Sequence, residues 1–108
     1  MEKKMRKTTR LRQLIEAKEI LVVPGVYDGI SARVVQAMGF QAGAVSGAGV
    51  SESRLGRPDV GILGLAENLD HSRNIINAVD IPVRVDADTG YGNAVNVYFT
   101  VQMFEQAG

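Results

Sequence analysis

The strongest constraint on this chain is an alternation. Three short runs with strand character, Ile20 to Val23, Ala42 to Ser46 and residues 81–86, are each followed by a segment of helical periodicity. Aliphatic, β-branched and small residues fill these runs, as a buried strand requires. The helical segments repeat apolar residues on one face: Ile30, Val34, Val35 and Met38, then Leu65, Leu69, Ile75, Ile76 and Val79. A last helix is expected from Ala94 to Gln106, apolar at Val97, Val101 and Phe104. Strand and helix in turn, joined by short returns, specify a parallel α/β sheet. Asp28 is expected to cap the second helix and Gly39 to stop it. An extra helix, about Thr9 to Lys18, precedes the first strand, which Pro24-Gly25 should end. Residues 47–64, rich in glycine, read as one long loop, a kind that is usually functional or mobile.

Three β-α units in 108 residues fit one domain at most. A three-stranded parallel sheet leaves open edges and an uncovered apolar face, so residues 1–108 are expected to form the N-terminal part of a larger, incomplete α/β domain. The formal net charge of +0 argues against nucleic acid and acidic membranes as partners. The one basic cluster, Lys3, Lys4, Arg6, Lys7, Arg10 and Arg12, reads as the solvated start of a helix. No aliphatic run is longer than Ile20 to Val23, so neither a signal peptide nor a membrane span is expected, and a cytoplasmic location is the default. With no cysteine, disulfides, thiolate metal sites and a cysteine nucleophile are excluded from these residues.

The polar candidates fall after the strands, where parallel α/β folds bind ligands. Tyr27 and Asp28 follow the first, Ser46-Gly47-Ala48-Gly49 and later Asp59 the second, Asp86 and Asp88 the third. Alternation along the third strand puts Arg84, Asp86 and Asp88 on one face, against Ile81, Val83, Val85 and Ala87 on the other. Two carboxylates converging at a strand end suit Mg²⁺, a hard cation that takes one or two protein carboxylates and keeps sites for water and substrate. A half-solvated strand closing in an Asp/Gly turn accounts for the same residues. Ser46 and the following N–H groups could hold a carboxylate or phosphate oxygen, or form a small-residue turn. No dinucleotide fingerprint is present, because Glu52 and Val95 stand where third glycines would be needed. His71, on a polar helix face, reads as solvated.

The octapeptide Asp86-Ala-Asp-Thr-Gly-Tyr-Gly-Asn93 resembles the metal-site motif of the isocitrate lyase / phosphoenolpyruvate mutase superfamily. Val26 to Arg33, the Ser46–Gly49 loop, Leu55 to Asp59 and Ala94 to Val101 extend the likeness over roughly residues 10–108. It is greatest to the 2-methylisocitrate lyase, dimethylmalate lyase and carboxyphosphonoenolpyruvate mutase group. The resemblance implies a parallel (β/α)8 barrel of TIM type, of which about three units are present here. It also implies a homo-oligomer (tetramers in relatives), Mg²⁺ or Mn²⁺, and a small carboxylate substrate. Asp86 and Asp88 match the metal-site aspartates; Ser46, Gly47 and Ala48 match the loop contacting the substrate carboxylate, and Asp59 an acidic residue near the metal. The implied chemistry is cleavage of a C–C bond to give a pyruvate-type 2-oxo acid through an enolate. Phosphonate mutation and oxaloacetate decarboxylation are alternatives within the superfamily. No catalytic acid/base is expected among these residues, since the loop that carries it would lie beyond Gly108; the chain alone is expected to be inactive. Arg84 stands where relatives generally have an aliphatic residue inside the barrel, and a buried guanidinium would need a partner. Ala44 and Ala48 replace larger side chains of several lyases. A non-catalytic α/β module that self-associates through its open edges is the alternative of another class.

Overall fold

The computed structural model describes residues 4–108, so Lys3 of the basic cluster lies outside it. Helix α1 (Lys7–Glu16) leads into strand β1 (Gly25–Val26), helix α2 (Gly29–Ala37) and strand β2 (Gly43–Val45). A short helix α3 (Gly47–Val50) runs into a π-helical turn (Ser51–Leu55). Helix α4 (Leu65–Ala78), strand β3 (Val83–Val85) and helix α5 (Ala94–Ala107) complete the order. The three strands form one parallel sheet in the order β1-β2-β3, with Gly25 opposite Ala44, Ala44 opposite Arg84 and Val45 opposite Val85.

Alternation then sorts the two faces. Val26, Val45, Val83 and Val85 turn toward α2 and α4, where Ala32, Val35, Val50, Ile75 and Val79 close the core. Gly25, Ala44 and Arg84 form the row on the other face. α2 begins as the sequence predicts. The Asp28 carboxylate accepts from the Ser31 N–H at 2.7 Å, and the Ser31 hydroxyl accepts from the Asp28 N–H at 3.1 Å, a capping box. These bonds hold the Asp28 carboxyl below its ordinary pKa of 3.8, the backbone bond contributing most. At the other end, Gly39 and Phe40 donate to the carbonyls of Gln36 and Val35, closing the helix as a Schellman turn.

The first strand differs from expectation. Ile20 to Val23 pair with nothing; Ile20 is 91% exposed and the ladder starts only at Gly25. The register explains this: residues 22–23 would face 41–42, where the chain is still leaving the turn after α2. Pro24 has no N–H to give, but its carbonyl accepts from Ala44 at 2.9 Å, so Pro24-Gly25 opens the strand instead of ending it. The long glycine-rich loop is also partly ordered. Ser46 caps α3, and the buried Ser51 hydroxyl donates to the carbonyls of Arg57 and Pro58 at 3.0 and 3.2 Å.

Lys7 is not simply solvated. Its ammonium donates to the carbonyls of Ile76 and Val79 at 2.6 and 2.7 Å, tying α1 to the end of α4. Burial pulls its pKa down from 10.5, against the opposing pull of Asp80. On the far side, α5 buries only Thr100 and leaves Val95, Tyr98, Phe99 and Val101 half exposed or more. No helix among the described residues is long and apolar enough to cross a membrane.

Candidate functional site

The strand ends bring the candidate residues together. Extending the register one residue past the ladder sets Tyr27, Ser46 and Asp86 abreast at the C-terminal edge of the sheet. Ser46 Oγ accepts from the Gly49 N–H at 3.1 Å, which fixes the hydroxyl at the start of α3. Gly47 then passes so close to β3 that a Cβ there would lie 3.0 Å from Oδ2 of Asp86; only a bare Cα leaves that carboxylate its place. Arg57 and Pro58, held by Ser51, deliver Asp59 to the same spot. An open cavity of about 340 Å³ is lined by Ser46, Gly47, Ala48, Asp59, Arg84 and Asp86, with Gly25 and Ala44 at its base.

Asp88 reaches this region by a different route from the one alternation predicts. β3 stops at Val85, and Asp88 takes a left-handed backbone, φ 50°, as its N–H donates to Oδ1 of Asp86 at 2.9 Å. It therefore leaves the Arg84–Asp86 face and stands at the rim. There it lines a smaller cavity of about 60 Å³ with Gly47, Asp59, Asp86 and Tyr91. Asp59, Asp86 and Asp88 are exposed, and the ion pairs among the described residues, Lys4–Asp80 and Arg54–Asp70, involve none of them.

A framework that the sequence reading missed holds this loop. Asn68, fully buried on α4, donates to the Asp86 carbonyl at 3.0 Å and to Tyr91 Oη at 2.8 Å, while its own Oδ1 accepts from Ser72 at 3.2 Å. The Thr100 hydroxyl donates to the Gly90 carbonyl at 2.9 Å. Gly90 has φ 94°, and a Cβ there would meet Val97 at 2.5 Å. Asn93 caps α5 in a reciprocal box with Asn96. Burial pushes the Tyr91 phenol up from its ordinary pKa of 10.0; the Asn68 bond opposes this, and Asp88, Asp86 and Glu67 add to it. The phenol thus keeps its proton, free to donate because Oη is the acceptor from Asn68. His71 lies outside the site: its Nε2 meets the Tyr27 carbonyl, pinning α4 to the β1–α2 junction. Arg84, expected to be buried and partnered, is exposed and unpaired among the described residues.

The donor set fits a hard divalent cation. Among the described residues no three acidic or imidazole side chains converge closely enough to hold an ion alone. Mg²⁺ asks for less: one or two carboxylates, with water and substrate oxygens completing its shell. Asp86 lines the small cavity together with Asp59 and Asp88, where there is room for a cation with part of its water.

Known proteins resemble this chain in sequence and in fold. The sequence profile of the phosphoenolpyruvate phosphomutase family matches residues 11–108. A 2,3-dimethylmalate lyase of Eubacterium barkeri is 43% identical over 104 residues, covering 96% of this chain and 36% of that protein. A chloroplastic carboxyvinyl-carboxyphosphonate phosphorylmutase of Arabidopsis thaliana is 46% identical, covering 93% of this chain and 30% of its own length. Among solved structures, an oxaloacetate acetylhydrolase in complex with the inhibitor 3,3-difluorooxalacetate superposes with a TM-score of 0.89. It is 39% identical over 94% of this chain and 35% of that one. The chain spans about a third of the length of the relatives it matches.

Proposed function

The chain belongs to the phosphoenolpyruvate phosphomutase family, and we propose that it supplies the opening strands of a (β/α)8-barrel lyase. That enzyme breaks a C–C bond of a small carboxylate to release a pyruvate-type 2-oxo acid through an enolate. One observation carries the proposal: Ser46, Gly47, Ala48, Asp59 and Asp86 line a single cavity at the C-terminal edge of a parallel sheet, where barrels place their chemistry. The finer choice among lyase, phosphonate mutase and decarboxylase follows the range of activities named for its relatives.

In this reading Asp86 and Asp88 would hold Mg²⁺ or Mn²⁺, with Asp59 as a further acidic residue lining the same small cavity. The bound ion supplies a Lewis acid for the negative charge that develops on the enolate oxygen. The chain's own groups do the rest. Ser46 and the N–H groups of Gly47 and Ala48 orient the substrate carboxylate, Asn68 and Thr100 keep the aspartate loop in place, and the protonated Tyr91 phenol can donate toward the cavity. Preorganised donors of this kind spare the site from reorganising as charge builds.

The test is a Mg²⁺ titration of the chain followed through amide chemical shifts. Shifts localised to residues 46–48 and 86–91 are expected, lost in Asp86→Asn with the fold retained. A Mg²⁺ response unaltered by Asp86→Asn overturns the assignment. Turnover of 2-methylisocitrate, 2,3-dimethylmalate or oxaloacetate by the chain alone would overturn the placement of its acid/base outside these residues.

A further inference from the structure

The octapeptide holds the two non-glycine residues with left-handed backbone among those described, Asp88 at φ 50° and Tyr91 at φ 64°. Such a conformation costs about 1–3 kcal/mol and persists only where neighbours enforce it. One bond pins each residue: the Asp88 N–H donates to Oδ1 of Asp86 at 2.9 Å, and Tyr91 Oη accepts from Asn68 at 2.8 Å. The buried amide settles which way the phenol hydrogen points. Asn68 Oδ1 accepts from Ser72, so its nitrogen faces the Asp86 carbonyl and Tyr91, and both of its N–H bonds are used. Tyr91 is therefore the acceptor toward α4, and no group among the described residues takes up its own O–H. The phenol lines the cavity of about 60 Å³, whose other side chains are those of Asp59, Leu63, Asp86 and Asp88. None of these donates when the carboxylates are ionised, which makes Tyr91 the lone side-chain donor in a cavity of acceptors. Asp86 already accepts through Oδ1, whereas no hydrogen bond among the described residues engages the carboxylate of Asp88, three residues before Tyr91. After burial, and against the Asn68 bond, Asp88 stands ahead of Asp86 and Glu67 among the charges that raise the phenol pKa.

Resting on the reading of Asp86 and Asp88 as the cation site, we propose that Tyr91 is a positioning residue, its phenol donating to the Asp88 carboxylate and turning the other carboxylate oxygen toward the ion. A metal-site carboxylate works best when its second oxygen is held by a hydrogen bond, because the first is then fixed in direction. A phenol suits this place better than a lysine or arginine. It orients the carboxylate without adding a positive charge that would compete with the cation. Asn68 completes the relay. By donating to Oη it leaves the phenol hydrogen only the cavity side, so a fully buried amide on α4 sets the direction of a carboxylate that it does not touch.

The competing role is structural, with Tyr91 only anchoring the turn to Asn68. A double-mutant cycle separates the two. A loosened turn weakens Mg²⁺ whether or not Asp88 is present, whereas a bond to Asp88 cannot outlast that carboxylate. Mg²⁺ affinity is read from the amide shifts of the 108-residue chain, with circular dichroism confirming the fold of each variant. Tyr91→Phe weakens Mg²⁺ by about tenfold, the loss usual for the hydrogen-bond partner of a metal ligand. Asp88→Gly, which suits the left-handed backbone, keeps Asp86 and binds Mg²⁺ more weakly. Adding Tyr91→Phe to it changes the affinity by less than about twofold. No loss in Tyr91→Phe, or an equal loss in both backgrounds, overturns the proposal. A second readout leaves position 91 untouched and stands if Tyr91→Phe unfolds: 3-fluorotyrosine in place of the three tyrosines. The Tyr91 fluorine, assigned by elimination with Tyr27→Phe and Tyr98→Phe, shifts on Mg²⁺ addition while the other two stay, and the shift shrinks in Asp88→Gly. A Tyr91 fluorine that Mg²⁺ leaves unmoved, or moves equally in Asp88→Gly, overturns the proposal. Asp86→Asn is the control for the underlying reading. If it abolishes the Mg²⁺ response while Tyr91→Phe has no effect, only the Tyr91 assignment falls. If the wild type does not respond to Mg²⁺, or Asp86→Asn responds as the wild type does, the cation site falls first and the role of Tyr91 with it.

Discussion

β2 and β3 lie side by side in one sheet, yet they are stabilised in different ways. All three residues of β2 are buried, and α4, packed nearby, buries four residues including Ile75 and Ile76. In β3 the flanking valines are only half-buried and Arg84 is exposed, and α5 buries Thr100 alone. The first region is held by apolar area, which is non-directional and tolerant of small shifts. The second, which carries the octapeptide, adds to its half-buried valines a few hydrogen bonds with defined donors and acceptors. Apolar packing fixes where the sheet is; polar pins fix where the carboxylates are. A site needs the second kind of control, because bond direction decides geometry in a way that area does not.

The sharpest way to break this contrast is to cut both regions equally. Ile75→Ala, at a residue 1% exposed, is expected to cost about 2–5 kcal/mol of unfolding free energy, read from the urea midpoint. Val101→Ala on α5, at a residue 52% exposed, should change it by less than about 0.5 kcal/mol. Comparable losses would show that the two regions share one kind of support. Asn68→Ala comes next: it strands the Ser72 hydroxyl and the Asp86 carbonyl, for about 2–3 kcal/mol. Its signature is local. Amide exchange at 86–91 should accelerate more than in β2, and uniform acceleration would count against a pin specific to the loop. Thr100→Val, which removes one bond to Gly90 at nearly constant volume, should cost about 1 kcal/mol and loosen the same loop less.

A local effect smaller than loss of the Asn68 pin sits in the charged cap of α2. Asp28→Ala should cost about 1 kcal/mol at neutral pH, and Asp28→Asn a fraction of that. The native carboxyl has its pKa depressed, so its stabilisation is complete above 3.8 and is lost as pH falls through the lower folded value. Wild type and the alanine variant should therefore converge in stability in that acid window; a gap that widens there would contradict the capping account.

The sequence disclosed the frame better than the pins. Periodicity placed α2, α4 and α5 within a residue or two, because their apolar faces are continuous. Asp28 and Gly39 marked the ends of α2 because their side chains, or the lack of one, act locally. The ladder was less legible: pairing depends on what lies opposite, and nothing within Ile20 to Val23 reveals that residues 41–42 are still turning. The same holds for Asp88, whose left-handed backbone follows from its bond to Asp86 and not from strand alternation. Asn68 left one usable sign. It lies four residues before Ser72 and is in phase with Ile75 and Ile76, so a polar pair falls on a face that must be buried. Lys7 left none, since its partners are main-chain carbonyls about 70 residues away.

Position 47 ties the two strand ends to one another mechanically. With 3.0 Å between the place of a missing Cβ and the Asp86 carboxylate, a side chain at 47 would have to push that carboxylate aside. The residue chosen in the substrate-side turn therefore limits the rotamer open to the acid-bearing one, and any redesign of this chain has to settle positions 47 and 86 together.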